Sequence, residues 1–198
     1  MAADAWGDSF TEQPEPDYGN GGFIVQREEF IRQGPVVSTH LAYITTPDGE
    51  EIDREITRHP GAVAVVPIHD GHIIFVKQYR APINRLMFEI PAGRRDVNGE
   101  PPTIAARREL VEEIGYDAGS VELLGCFLNS GGFCDERTYV YLGTDLTPAD
   151  RMFDGAEEAH MDIVRVPLDQ IPTLVSDGSI EDAKTLLGLQ WMLLRQAS

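Results

Sequence analysis

The run Arg108-Glu109-Leu110-Val111-Glu112-Glu113-Ile114-Gly115-Tyr116 constrains this chain more than any other stretch. An α-helix turns about 100° per residue, so side chains spaced i, i+3 and i+4 share one face. Glu109, Glu112 and Glu113 have that spacing, and like charges held so close weaken a helix. A solvated face usually intersperses lysines, whereas the only nearby relief here is Arg108, four residues before Glu112. An acidic surface helix is the plain reading. A hard divalent cation resolves the conflict better, because Mg²⁺ takes oxygen ligands and sits between carboxylates and phosphates.

The residues upstream narrow the choice. Gly93, Glu100, Arg108, Glu109, Leu110, Glu112, Glu113 and Gly115 follow a known pattern. It runs glycine, five residues, glutamate, seven residues, then Arg-Glu-aliphatic-any-Glu-Glu-any-Gly-aliphatic. That is the Nudix hydrolase signature, and the chain resembles that family. Two departures stand out. Six residues rather than five separate Gly93 from Glu100, which should bulge the loop from Arg94 to Gly99. Tyr116 takes the last aliphatic position. The match is specific for fold and reaction class and says little about the substrate.

At 198 residues the chain can bury one sizeable core and carry an added arm. No apolar run approaches the roughly 20 residues that span a bilayer. The N-terminus lacks a basic start leading into an apolar stretch. These features predict a cytoplasmic protein without membrane association. A net charge of −17 opposes nucleic-acid binding, because a polyanion is repelled. A small phosphorylated substrate still enters where metal and local arginines reverse the sign. Cys126 and Cys134 read as idle thiols in a reducing compartment rather than as a disulfide.

Along the chain, residues 1–22 combine five acids, Pro14, Pro16 and a glycine-rich stretch, the composition of a flexible tail. Residues 23–60 read as a strand arm. Phe23–Phe30 is its first strand, and Val36–Thr46 and Glu51–Arg58 form a hairpin around Thr46-Pro47-Asp48-Gly49. Residues 61–198 hold the remaining elements. Ala62–Ile68 and His72–Tyr79 form a second hairpin, and Leu86–Ile90 delivers the chain to Pro91-Ala92-Gly93. A helix from Thr103, its N-cap, to Gly115 turns Ile104, Val111 and Ile114 inward and its glutamates elsewhere. Strands follow at Val121–Leu128, Arg137–Leu142 and Met161–Pro167, with an acidic loop over Leu146–Ala159. Leu168–Val175 and Glu181–Gln196 read as helices, the second apolar at Leu186, Leu189, Leu193 and Leu194. The fold class is α/β (α+β): an α/β/α sandwich on a mixed sheet, plus the arm.

From about Phe23 to Gln196 the chain looks like the ADP-ribose pyrophosphatase branch of the Nudix family. Shared features are the sheet arm, Arg54-Glu55 before Gly61-Ala62-Val63, Gln78-Tyr79-Arg80, Asp135-Glu136 and a helix ending near Leu189-Gln190-Trp191. The resemblance implies cleavage of ADP-ribose to AMP and ribose 5-phosphate. It also implies a homodimer with exchanged arms, each helping to build the partner's nucleotide pocket. One departure concerns substrate choice: Gly131 of Asn129-Ser130-Gly131-Gly132-Phe133 stands where that branch usually has proline. A UDP- or GDP-sugar is then an alternative substrate.

The residues suggest specific roles. Glu109, Glu112 and Glu113 are the candidate ligands for Mg²⁺ or Mn²⁺, and by resemblance the Ala92 carbonyl is another. Arg108 orients the carboxylates through charge-assisted hydrogen bonds, and Glu100 ties loop to helix. By resemblance a glutamate in the loop before the last strand is the general base, which here means Glu157 or Glu158. Arg80 ends a strand, and its guanidinium fork suits a phosphate. Arg54 and Glu55 are candidates for the base or ribose, Glu136 for phosphate-bound metal or water, and Arg94 and Arg95 for phosphate. His160 reads as a surface residue and Trp191 as core. Rival readings keep the reaction but change the substrate to NADH or a dinucleoside polyphosphate, or drop the reaction and leave a non-catalytic ADP-ribose sensor. Sensors usually lose signature glutamates, and this chain keeps them all.

Overall fold

The computed structural model describes residues 17–151 and 160–197. Two compact units emerge, one running to Gly61 and including Phe127–Arg137, the other holding Ala62–Cys126 and the chain from Thr138. Residues 1–16, most of the expected tail, lie outside the described residues.

In the first unit β1 (Ile24–Gln33), β2 (Ser38–Thr45) and β3 (Glu51–Arg58) form an antiparallel sheet in the order β1-β2-β3. The β2–β3 turn is the one expected. The Thr46 hydroxyl donates to Asp48, the Gly49 N–H donates to the Thr46 carbonyl at 3.0 Å, and Gly49 has a φ of 90°. Strand β1 runs three residues past the expected Phe30, and register shifts at Val25/Arg27 and Phe30/Arg32 bend it. Every residue of β1 is exposed. The end of β3 is tied to the 127–137 segment: Thr57 N–H donates to the Phe133 carbonyl at 2.7 Å, and Arg58 pairs with Asp135 at 3.0 Å.

The second unit is built on a seven-stranded mixed sheet. Its strands are β4 (Ala62–His69), β5 (His72–Arg80), β6 (Arg85–Glu89), β7 (Ala92–Arg94), β8 (Tyr116–Leu128), β9 (Arg137–Pro148) and β10 (Asp162–Pro167). The order is β10-β5-β4-β9-β8, with β6 beside β5 and β7 beside β4. Strands β4 and β9 are parallel, Ala62 facing Thr138 and Pro67 facing Gly143. Successive strand residues point to opposite faces, and both faces are covered. Val63, Val65, Ile74, Val76, Tyr139 and Tyr141 pack with Ala105, Ala106 and Leu110 of α1 (Pro102–Ile114). On the other face Gly188 of α3 (Ala183–Gln196) lies so close to Val66, Val140 and Ile90 that a Cβ would meet them at 3.0–3.3 Å. A short helix, α2 (Ile171–Ser176), precedes α3. This is the expected α/β/α sandwich.

Several elements differ from the expectation. Strand β7 is too short to carry a periodic signal and forms by pairing with β4, Gly93 opposite Val63. Strand β9 continues six residues past Leu142, so the acidic loop starts later. The N-cap of α1 is Pro101 rather than Thr103, and no side chain caps it. Its Pro102 sits at the first helical position, where the missing N–H costs nothing. The Leu168–Val175 helix divides into a 3₁₀ turn, Leu168–Gln170, and α2. Leu194 is 66% exposed because the inward stripe of α3 is Thr185, Gly188, Leu189 and Met192. Cys126 and Cys134 are half-buried and not joined by a disulfide. Among the described residues no helix is long and apolar enough to cross a membrane.

Candidate active site

The acidic helix reaches its position because β7 carries a glycine where α1 needs room. A Cβ on Gly93 would lie 1.9–2.1 Å from the Glu109 carboxylate, so the acid occupies the space a side chain would fill. One turn along, Glu113 accepts a hydrogen bond from the Ala92 N–H at 3.0 Å. Helix α1 then stops at Gly115, whose φ of 70° lets its N–H close on the Leu110 and Val111 carbonyls.

The sequence turns Ile104 inward and the glutamates elsewhere; the structure reverses this. Ile104 is 49% exposed, while Glu109 and Glu113 retain 7% and 4% exposure. Ala105, Ala106, Glu109, Leu110, Glu113 and Ile114 form the buried stripe, and its two acids lie over Ala92 and Gly93 of β7. Burying carboxylates is costly unless they are paired. Arg108 supplies the pairing. Its Nη1 donates to Glu109 at 2.7 Å and Glu112 at 2.9 Å, its Nε to Glu100 at 3.1 Å, and its Nη2 to Glu100 and the Arg94 carbonyl. The Glu100 hydrogen bonds, then the Glu109 and Glu112 charges, outweigh burial and raise the Arg108 pKa further. Through Arg108, Glu100 joins the long loop to the helix.

Among the described residues no three acidic, histidine or cysteine side chains converge closely enough to enclose a cation as they stand. The guanidinium of Arg108 takes an oxygen from each of Glu109 and Glu112 instead. The donor set itself, Glu109 and Glu113 over β7 with Glu112 on the same helix, is all hard oxygen and fits Mg²⁺ or Mn²⁺.

Arg80 is not the open fork expected. Its Nε and Nη2 donate to the two oxygens of Glu89, each at 2.7 Å, which leaves Nη1 as the remaining edge. Glu89 is 1% exposed and also accepts from Lys184, which donates to Asp182 at 2.9 Å. Burial opposes ionisation of Glu89, yet the Arg80 fork and the Lys184 ammonium prevail and hold its pKa below the ordinary 4.5. A depressed folded pKa contributes stability that is fully present above the unfolded value and lost as pH falls through the folded one. Lys184→Met should therefore move the acid unfolding midpoint to higher pH, read by circular dichroism between about pH 5 and 2.

Arg94 is exposed and pairs with Asp96 at 3.3 Å. Arg95 lies over the Tyr139 ring at 5.2 Å. The other unit holds Arg54, exposed, with its Nη1 on the Asp53 carbonyl at 2.6 Å, and exposed Glu55. It also holds Glu136, whose N–H donates to the Cys134 sulfur at 3.4 Å. Glu157 and Glu158 lie outside the described residues. The described residues before them end at Arg151, whose Nε donates to the Glu112 carbonyl at 3.3 Å. His160 is exposed, and Trp191 is half-buried, its ring 2.8–2.9 Å from where a Cβ on Gly125 would sit.

Sequence reasoning missed Glu89, Asp182, Lys184 and Thr185. The available signal was Glu89 on a strand of apolar neighbours, Leu86-Met87-Phe88-Glu89-Ile90, where an acid needs a buried cation.

A mixed sheet between helices, with a carboxylate helix seated on the short strand β7, defines a fold that comparison with known proteins identifies. The NUDIX domain matches residues 58–188, and the chain belongs to that family. It is 37% identical over 171 residues to an ADP-ribose pyrophosphatase of Bacillus subtilis, covering 86% of this chain and 92% of that one. A methanol dehydrogenase activator of Bacillus methanolicus is 36% identical over 172 residues, with the same coverage. A solved ADP compounds hydrolase superposes with a TM-score of 0.78 at 22% identity, covering 88% of this chain and 94% of its own, and shares the fold.

Proposed function

We propose that this protein is a Mg²⁺-dependent pyrophosphatase that hydrolyses ADP-ribose to AMP and ribose 5-phosphate, or cleaves a related nucleoside diphosphate sugar. The observation that carries the reading is the seat of Glu109 on Gly93, with Glu112 and Glu113 on the same helix face. Such a face has a use where divalent metal meets phosphate, and the ADP-ribose pyrophosphatase of B. subtilis supports the nucleotide. A bound Mg²⁺ shields the phosphate oxygens and acidifies a water. Glu109, Glu112, Glu113 and the Ala92 carbonyl hold it, with Mn²⁺ an alternative occupant. Arg108 fixes the carboxylates from the side. Glu157 or Glu158, beyond Arg151, whose Nε reaches the Glu112 carbonyl, takes the proton from the attacking water. Arg80 and Arg94 bind phosphate, and Arg54, Glu55 and Glu136 serve the nucleotide and its terminal sugar. The fully exposed β1, carrying Ile24, Val25, Phe30 and Ile31, supports a homodimer built through the 23–60 arm.

The test is incubation with Mg²⁺ and a panel of nucleoside diphosphate compounds, with products separated by chromatography. AMP and ribose 5-phosphate from ADP-ribose support the reading. No cleavage of any diphosphate on the panel removes it.

Gly131 favours a second reading, a UDP- or GDP-sugar as substrate. It sits at the second position of the Ser130–Phe133 turn, which is closed by the Phe133 N–H on the Ser130 carbonyl at 3.1 Å. A Cβ there meets only Leu128, at 3.6 Å, and proline is favoured at that turn position. Gly131→Pro should therefore fold, gain about 0.4–1 kcal/mol from a less flexible unfolded chain, and shift relative rates toward ADP-ribose. Equal rate ratios across the panel before and after would show that this turn does not select the substrate.

A further inference from the structure

Pyrophosphate chemistry needs positive charge fixed beside the metal-facing strand, and Arg80 is committed to Glu89 along one edge. A lone Arg–Glu pair would cancel that charge. Here Lys184 Nζ bridges Glu89 and Asp182, so two cations meet two carboxylates, and what the cluster supplies is a fixed Arg80 rather than surplus charge. Asp182 is also fixed, since it caps α3 by accepting from the Thr185 N–H at 2.9 Å and the Thr185 hydroxyl at 2.6 Å. That same Thr185 oxygen accepts from the Ile90 N–H at 2.9 Å.

The four-residue stretch Glu89-Ile90-Pro91-Ala92 is thus held at three points. The Glu89 side chain is clamped by Arg80 and Lys184, the Ile90 N–H by Thr185, and the Ala92 N–H by Glu113 of the acidic helix. Helix α3, through its first turn, braces the stretch that leads into β7, on which the acids sit. Arg80 lies near enough to Glu113 to feel its charge.

We infer that Lys184 is a positioning residue for phosphate recognition: by tying buried Glu89 to Asp182 it fixes the carboxylate that holds the Arg80 fork, and so sets the Nη1 edge of Arg80, which makes no bond to Glu89, for the substrate's diphosphate. The inference rests on the pyrophosphatase reading and names a part of it that the signature does not contain. Lys184 touches no reacting atom. It acts through Arg80.

The experiment measures kcat and KM on ADP-ribose with Mg²⁺, and ADP binding by calorimetry, for wild type, Lys184→Met, Lys184→Arg, Arg80→Met and the Lys184→Met/Arg80→Met double variant. Lys184→Met should lower kcat/KM about 10- to 100-fold, mainly through KM, and weaken ADP binding in parallel. Lys184→Arg should restore most of the loss, and Lys184→Met should add little once Arg80 is already removed. Glu181→Gln, which breaks only the exposed Arg85–Glu181 pair at the same end of the helix, should change neither constant. Should Lys184→Met not fold, Lys184→Gln, a polar side chain of shorter reach that drops the charge but can still donate, carries the same expectation. Full additivity with Arg80→Met, or unchanged KM in the charge-free variants, would overturn the inference while turnover by wild type keeps the reaction. A wild type that cleaves no nucleoside diphosphate sugar would overturn the reaction and this role together.

Discussion

Glu113→Gln and Glu112→Gln should each lower turnover by about 10²- to 10⁴-fold while the fold survives. Metal-borne stabilisation of a phosphoryl transition state is worth several kcal/mol, and each 1.4 kcal/mol is about tenfold in rate. Survival of the fold does not come from exposure, since Glu113 is 4% exposed. It comes from chemistry: the amide oxygen of a glutamine in its place still accepts from the Ala92 N–H, and a neutral group is cheaper to bury than a carboxylate. At position 112 the glutamine still accepts from Arg108, which keeps its bonds to Glu100 and Glu109. Metal-free melting temperatures should therefore hold or rise slightly, whereas Mg²⁺ should stabilise wild type and not the variants. Steady-state kinetics and thermal melts with and without Mg²⁺ test this. Unchanged turnover in both variants would remove the glutamates from the metal site.

The fold was largely legible in the sequence because its strands are rich in valine and isoleucine and its turns carry Asp-Gly pairs. Asp70-Gly71 and Asp48-Gly49 mark both hairpins where they occur. The acidic face was legible as a spacing but not as a direction. Periodicity assumes that acids face water, and on that assumption Ile104 and Val111 belong inside. The assumption fails at Gly93, whose missing side chain makes an inward site for Glu109. The Glu89 cluster was invisible for another reason: Arg80, Glu89 and Lys184 are far apart in sequence, and strand pairing and helix docking alone bring them together. The arm's candidates, Arg54 and Glu55, were named from resemblance, and they sit on a unit whose surface is open along all of β1.

Gly93→Ala should be as damaging as loss of a glutamate, although it removes no functional group. The added methyl would overlap the Glu109 carboxylate at 1.9–2.1 Å, far inside van der Waals contact, so one of them must leave. Strand β7 is fixed by pairing with β4, and Val63 opposite Gly93 is fully buried, so the backbone has little freedom to yield. The side chain yields instead. Glu109 must swing off β7, breaking the 2.7 Å bond from Arg108 and leaving a buried acid to find another partner. Overpacking of this kind costs about 1–3 kcal/mol of stability. Activity should fall by about 10²-fold or more, because a ligand position empties as the acid leaves. The double variant Gly93→Ala/Glu109→Ala separates the two effects. Removing the carboxylate makes room for the methyl, so most of the lost stability should return, while activity stays low. Thermal melts and turnover of the three variants read this directly. If Gly93→Ala keeps wild-type turnover, Glu109 does its work without resting on β7, and the seat described for the acidic helix is not what the reaction uses.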